Sequence, residues 1–385
     1  MKLVTSGRAP ILAQAAVIAV AAMFGLTYSL SAALIAVSLS EQGWGEAVIG
    51  ANAAMHAAGV IVVALLLPRI VSFFGIRRLV LLALVVAGVV LASFPALPYI
   101  AAWFLLRLLL GMASEILFVL SETWTNTLSR EETRARVMAA YTSALSIGFA
   151  AGPLTLSFIG SSGYLPYLTG AAFALAAALL VASPRLEAPD FTETPVGSPL
   201  RYLHLAPVAI AATMLNSALE TSGLSFLAIY AMQLGWAETE ATRLMMVMMV
   251  GAIVLQLPIG WLGDKLDRVS LVIGLAVAAA LGALVWPSAL SSPWLTYLLL
   301  FLWGGAFVGI YTLMLAVVGS RFRGSELIGI YAAMGLMWGL GAFLGPIAAG
   351  LAMERWEDGL AYFAAAVCAA FAAFVALKGR GSAAR

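Results

Sequence analysis

Uninterrupted apolar stretches of roughly 20 residues recur along the whole chain, each long enough to cross a bilayer as a helix. Backbone polar groups in lipid find no water, so a crossing segment satisfies its hydrogen bonds as a helix or within a closed barrel. The stretches run continuously instead of alternating polar with apolar residues, which argues against a barrel. The composition agrees: of 385 residues, 63% are hydrophobic and 10% charged, where a soluble surface needs about a quarter charged. The fold class predicted is therefore an all-α membrane protein, a helical bundle in lipid.

Twelve transmembrane helices are predicted, near 11–40, 47–68, 77–95, 98–126, 136–159, 163–183, 204–232, 242–262, 269–287, 293–318, 326–352 and 358–378. The first run is far longer than the apolar core of a signal peptide, so it reads as a span. An even count puts both termini on one side. Of the 20 Lys and Arg residues, all fall on that side except Arg243 and Arg355, on the other face, and Arg107, inside a span. Basic residues gather on the cytoplasmic side, so both termini are expected there, in a bacterial inner membrane. A missed span would scramble that segregation. The polar stretch around Pro184, Pro189, Pro195 and Pro199 reads as a cytoplasmic linker, residues 184–203, between six-helix halves 1–183 and 204–385.

The halves echo each other. Gly148, Gly152 and Pro153 recur 193 residues later as Gly341, Gly345 and Pro346, and Gly111 and Ala113 recur at the same interval as Gly304 and Ala306. The loop Pro68 to Gly75 aligns with Gly260 to Asp267 at an interval of 192. Parallel repeats of this kind place a solute cavity between the halves near mid-membrane.

Three segments carry a family resemblance. Gly260-Trp-Leu-Gly-Asp264-Lys265-Leu-Asp267-Arg268 resembles the loop signature of the major facilitator superfamily. Arg107-Leu-Leu-Leu-Gly111-Met-Ala113 is similar to its span-four signature, and Gly148-Phe-Ala-Ala-Gly152-Pro153 to its span-five signature. Within the superfamily, Glu122-Thr-Trp124-Thr-Asn126, Arg134-Ala-Arg136 and Ala139-Ala-Tyr141 resemble the YcaD-like branch. Ser72 stands where the first-half loop usually has Asp, and Asp267 where the second-half loop usually has Gly. The resemblance implies a secondary active transporter with two pseudo-symmetric six-helix halves, whose spans one, four, seven and ten line the cavity. That favours Tyr28 and Tyr311 as solute contacts.

Charge at mid-bilayer is costly, so embedded ionisable groups point to function. Here they are Arg107, Glu115 and Glu122 in span four, Glu220 in span seven with Asn216 one turn before it, and His56 in span two. Arg107 and Glu115 share a helix face about 12 Å apart along the axis. Glu115 or Glu220 is expected to carry a proton, with Arg107 anchoring solute; the competing reading is mutual neutralisation and helix packing. His56 reads first as a packed, hydrogen-bonded residue, with a proton relay as the alternative.

A cytoplasmic gate is expected from Glu122, Arg134, Arg136, Asp264 and Arg268. Glu122, near the cytoplasmic end of span four, is placed to meet Arg130, or Arg77 and Arg78 at the start of span three, as a gate or structural ion pair; solute contact is the lesser alternative. Asp264 is suited to accept from a helix N-terminus or to pair with Arg134 or Arg136; the competing reading is a solvated loop charge with no partner. The Gly-Pro pairs read as close-packing and bending elements.

No GxxxxGK[ST] loop is present, and no nucleophile, metal or cofactor constellation appears. The lone Cys368 cannot form an internal disulfide. The chain is therefore expected to be no enzyme, to use no cofactor or metal, and to bind no nucleic acid. A monomer is expected, moving a small organic solute, with protons, by alternating access. A hydrophobic or aromatic solute is favoured over a highly charged one. The alternatives are a non-transporting receptor or scaffold with the same fold, and a proton-independent uniporter.

Overall fold

A computed structural model of the protein describes residues 9–129, 134–183, 186, 202–322 and 324–382. Most of the linker, 184–203, lies outside these. The described residues form thirteen α-helices and no strand. They are α1 (Ala9–Glu41), α2 (Glu46–Phe74), α3 (Ile76–Ser93), α4 (Ile100–Leu128), α5 (Arg134–Ile159) and α6 (Leu165–Ala182). There follow α7 (Pro207–Gln233), α8 (Glu238–Val254), α9 (Gln256–Lys265), α10 (Arg268–Ala289), α11 (Pro293–Arg321), α12 (Gly324–Arg355) and α13 (Gly359–Ser382).

Helices α8 and α9 are one crossing interrupted at Leu255. Pro258 has no N–H to give the carbonyl of Val254, and the ladder breaks there. Twelve crossings result, as expected. Eleven are long and apolar enough to span a membrane by length and composition. The twelfth, α7, has 27 residues but carries Thr213, Asn216, Ser217, Glu220, Thr221, Ser222 and Ser225. Three of its hydroxyls turn inward onto the helix: Thr213 donates to the carbonyl of Ala209, Ser217 to Met214 and Thr221 to Ser217, while Ser222 Oγ is enclosed without a partner among the described residues. Self-satisfaction of this kind lets a polar helix stay buried.

The chain forms two compact units, residues 1–34 with 58–195, and residues 35–57 with 196–385. In the first unit, α1 lies against α5 with almost no space between backbones. A Cβ on Gly148 would strike the carbonyl of Ala22, and one on Gly152 would meet Leu30 N and Leu26 O. Gly59 of α2 makes the same kind of approach to Leu108 of α4. The C-terminus of α6 is closed by Arg77 from α3. Its Nε donates to Val181 O at 3.2 Å, and its Nη2 to Ala182 O and Ser183 O at 2.8 and 2.7 Å.

The second unit repeats these approaches with different residues. Gly341 of α12 abuts the carbonyl of Met214 on α7, Gly345 abuts Ala218, and Gly251 of α8 abuts the carbonyl of Phe301 on α11. The hairpin 35–57 packs within this unit: Gly50 faces the Pro346 carbonyl, Gln233 Nε2 donates to Glu46 Oε1 at 2.7 Å, and Ala47 N donates to Glu354 Oε1 at 3.1 Å. Tyr230 donates to Asp358 at 2.7 Å. The sequence repeat is thus also a packing repeat. Each glycine is small because a neighbouring backbone occupies the place of its side chain.

Candidate functional site

The packing refines the register of the repeat. Gly148 and Gly341 are 193 residues apart, but their targets, Ala22 and Met214, are 192 apart, as are Leu26 and Ala218. On this register Glu220 corresponds to Tyr28, not to Thr27 as an interval of 193 suggests, and Asn216 corresponds to Phe24. The two helices carry different chemistry at equivalent positions.

In the first unit the positions form an aromatic cluster. Phe24 and Tyr28 have ring centroids 6.0 Å apart, Tyr28 meets Phe149 edge-on at 5.4 Å, and Phe24 lies 5.8 Å from Phe118. Arg107 of α4 is 3% exposed and is an electrostatic neighbour of Tyr28. Its Nε and Nη1 are enclosed with no acceptor among the described residues. Glu115, two turns on, is only partly exposed. Trp103, also on α4, belongs elsewhere: it packs on Phe94 and Tyr167 and donates to Leu97 O.

In the second unit Asn216 Nδ2 donates to Glu220 Oε2 at 3.2 Å, and Asn216 Oδ1 is enclosed without a donor among the described residues. Glu220 itself is partly exposed. The position equivalent to Arg107, at an interval of 193, is Leu300, so no cation faces the carboxylate from there. His56 is buried on α2, one turn from Asn52, whose Nδ2 is enclosed with no partner among the described residues. Tyr311 of α11 is partly exposed. Asn52, Phe24 and Phe149 were not singled out from the sequence. A polar pair at i and i+4, Asn52 and His56, was the available signal for the first; nothing marked the two phenylalanines as ring partners of Tyr28.

The expected gate residues are only partly brought together. Glu122 is partly buried near the end of α4 and is an electrostatic neighbour of Tyr141, whose hydroxyl lies 3.1 Å from Ser121 Oγ and donates to Phe118 O at 3.3 Å. Arg77, one of its expected partners, is instead engaged at the end of α6. Arg130 and the side chains of Arg134 and Arg136 lie outside the described residues. Asp264 is 76% exposed and pairs with Arg268 at 3.5 Å, while Arg268 Nε donates to Gly263 O. The N-terminus of α10, next along the chain, is capped by Asp267, which accepts from Ser270 N at 2.8 Å. That contact holds the Asp267 carboxyl below its ordinary pKa. Among the described residues no group of His, Cys, Asp and Glu could hold a metal ion.

Comparison with known proteins adds a lineage to this geometry. The family model described as Major Facilitator Superfamily matches residues 16–216 and 208–383. An uncharacterized MFS-type transporter, YfkF of Bacillus subtilis, is 25% identical over 346 residues, which is 88% of each chain. YcaD of Escherichia coli, described in the same words, is 22% identical over 86% of each chain. The solved D-xylose-proton symporter superposes with a TM-score of 0.76 at 15% identity, covering 95% of this chain and 97% of the other. At that identity the likeness speaks for the fold.

Proposed function

Because this chain belongs to the major facilitator superfamily and is a multi-pass membrane transporter, we propose that it moves a small organic solute across the bacterial inner membrane by proton-coupled alternating access. The halves 1–183 and 204–385, joined by the linker 184–203, are its two moving parts, and both termini are cytoplasmic. Glu220 carries the proton, held by Asn216. Arg107, Tyr28 and Glu115 serve the solute, with His56 and Tyr311 as further contacts. Glu122, Arg134, Arg136, Asp264 and Arg268 form the cytoplasmic gate.

The observation that carries this reading is Glu220. It lies 13 residues into a 27-residue helix, and among the described residues the one side chain that hydrogen-bonds it is the neutral Asn216. A carboxylate inside a membrane helix is an expensive charge, so its protonation responds to whatever water or solute reaches it. A group with that property can link proton movement to solute movement. The fold shared with a protein named a proton symporter supports the reading by analogy.

The test is transport in proteoliposomes under an imposed pH gradient, screened across a solute panel, with Glu220→Gln in parallel. Gradient-driven accumulation in the wild type that the variant loses is the expected result. Movement indifferent to the gradient in both proteins would make the chain a uniporter and leave Glu220 a structural role.

A further inference from the structure

The two repeats pack the same place with different side chains where α10 meets α11. In the first unit the indole of Trp103 meets Phe94 edge-on at 5.1 Å, and its Nε1 donates to Leu97 O at 2.8 Å. Thr296 stands 193 residues after Trp103, while Trp286 and Ala289 stand 192 after Phe94 and Leu97. Thr296 Oγ1 donates to Ala289 O at 2.7 Å, so equivalent carbonyls are served from equivalent positions in both units. A hydroxyl replaces an indole as the donor, and an indole stands where the first unit has a phenyl ring. The second unit thus carries less side-chain volume here and one polar hydrogen more.

The missing volume is a cavity between α7, α10 and α11. Leu227, Trp286, Ala289, Thr296, Leu299 and Leu300 line it, and about 10 Å³ is open to the centre of a water-sized sphere. That is close to the least space that holds one water. The extra polar hydrogen is on Trp286, which is 4% exposed and whose Nε1 is enclosed with no acceptor among the described residues. Trp303, 4.7 Å away ring to ring, uses its own Nε1 on Ala279 O at 2.8 Å. Ala289 O already accepts from Thr296 Oγ1 and from Ser292 N. An enclosed N–H without an acceptor is costly, because it has given up its hydrogen bond to solvent. Thr296 offers the complement. Its one proton goes to Ala289 O, or to Ser292 O at 3.0 Å, which leaves the hydroxyl oxygen free to accept.

We propose that this cavity is a binding site for one water molecule, which accepts from Trp286 Nε1 and donates to Thr296 Oγ1. The lining selects that ligand. No charged side chain borders the cavity, so an ion would enter it uncompensated. A purely apolar occupant would leave the indole N–H unsatisfied. A ligand of one heavy atom that both accepts and donates suits the volume and both polar groups. The first unit fills the equivalent place with the ring of Trp103 instead. The bridge ties α10 to α11 beside Leu227 of α7, which lies seven residues beyond Glu220 and on the same face of that helix. The inference is independent of the transport reading.

The test is a crystal structure of the full chain at a resolution that shows ordered water. Density is expected about 2.7–3.2 Å from both Trp286 Nε1 and Thr296 Oγ1. Thr296→Ser keeps the acceptor and should keep the density, while Thr296→Val should lose it. A cavity without density overturns the proposal. So does density reaching only one of the two groups, or an Nε1 that donates to a protein carbonyl.

A measurement in lipid nanodiscs adds a readout of coupling. Thermal midpoints are compared for wild type, Trp286→Phe, Thr296→Val and the double variant. Either single change removes one partner of the water, so the second change has less left to remove. The double variant should therefore melt above the midpoint expected from adding the two single shifts, by on the order of 2 °C. Additive shifts overturn the bridge. Should a variant fail to fold, the wild-type density decides.

Discussion

Asn216 donates a 3.2 Å hydrogen bond to Glu220 across one turn of α7, at the two positions where α1 carries the rings of Phe24 and Tyr28. One repeat thus places a carboxylate where the other places an aromatic ring. In the proposed mechanism Asn216→Ala removes the side-chain donor to Glu220 without touching the carboxylate. Gradient-driven uptake in proteoliposomes should fall several-fold in Asn216→Ala and at least about tenfold in Glu220→Gln. Exchange of labelled solute across the membrane at equal pH should persist in both.

Cys368 is fully buried in α13 and is the single thiol of the chain. A maleimide dye should therefore label it only as the bundle opens, which makes it a built-in reporter of unfolding. With that reporter, Gly341→Ala should destabilise the protein by about 1–3 kcal/mol, because the added methyl collides with the Met214 carbonyl. Gly274→Ala, where nothing lies within 4 Å of the new Cβ, should be neutral or slightly stabilising. Equal midpoints for the two variants would show that the seam is looser than its geometry implies.

Asp267 caps α10 through Ser270 N, and this contact lowers its carboxyl pKa beneath the ordinary value of 3.8. A depressed folded-state pKa means that the cap contributes fully above the ordinary value and is lost as pH falls through the folded one. Asp267→Ala should therefore melt below wild type at neutral pH, with faster hydrogen exchange at the Ser270 amide. The difference should shrink as pH falls below 3.8 and through the lower folded-state value. Asp267→Asn keeps an acceptor and should retain most of the cap.

Arg77 closes α6 by donating to three successive carbonyls, Val181, Ala182 and Ser183. Its planar fork suits that geometry and a lysine ammonium does not. Arg77→Lys should cost about 1 kcal/mol and Arg77→Ala about 1–2 kcal/mol, read from thermal unfolding. Faster amide exchange should be confined to the last turn of α6.

The sequence by itself determined the helical class, the twelve crossings and the internal repeat. Each rests on a local property: run length against bilayer thickness, the absence of alternation, and glycines and prolines at a constant interval. It also singled out Arg107, Glu115 and Glu220, because a charge in an apolar run is visible without any fold. Only the tertiary structure decided what those residues face. Helix-to-helix register shifts by one residue between the Gly148 and Ala22 sides of the repeat, and a one-residue shift turns a helix by about 100°. That shift moves the partner of Glu220 from Thr27 to Tyr28. The ring partners Phe24 and Phe149 come from separate helices, and Arg77 reaches α6 from over a hundred residues away. Such pairings depend on how backbones approach, and spacing along one chain contains no measure of that distance.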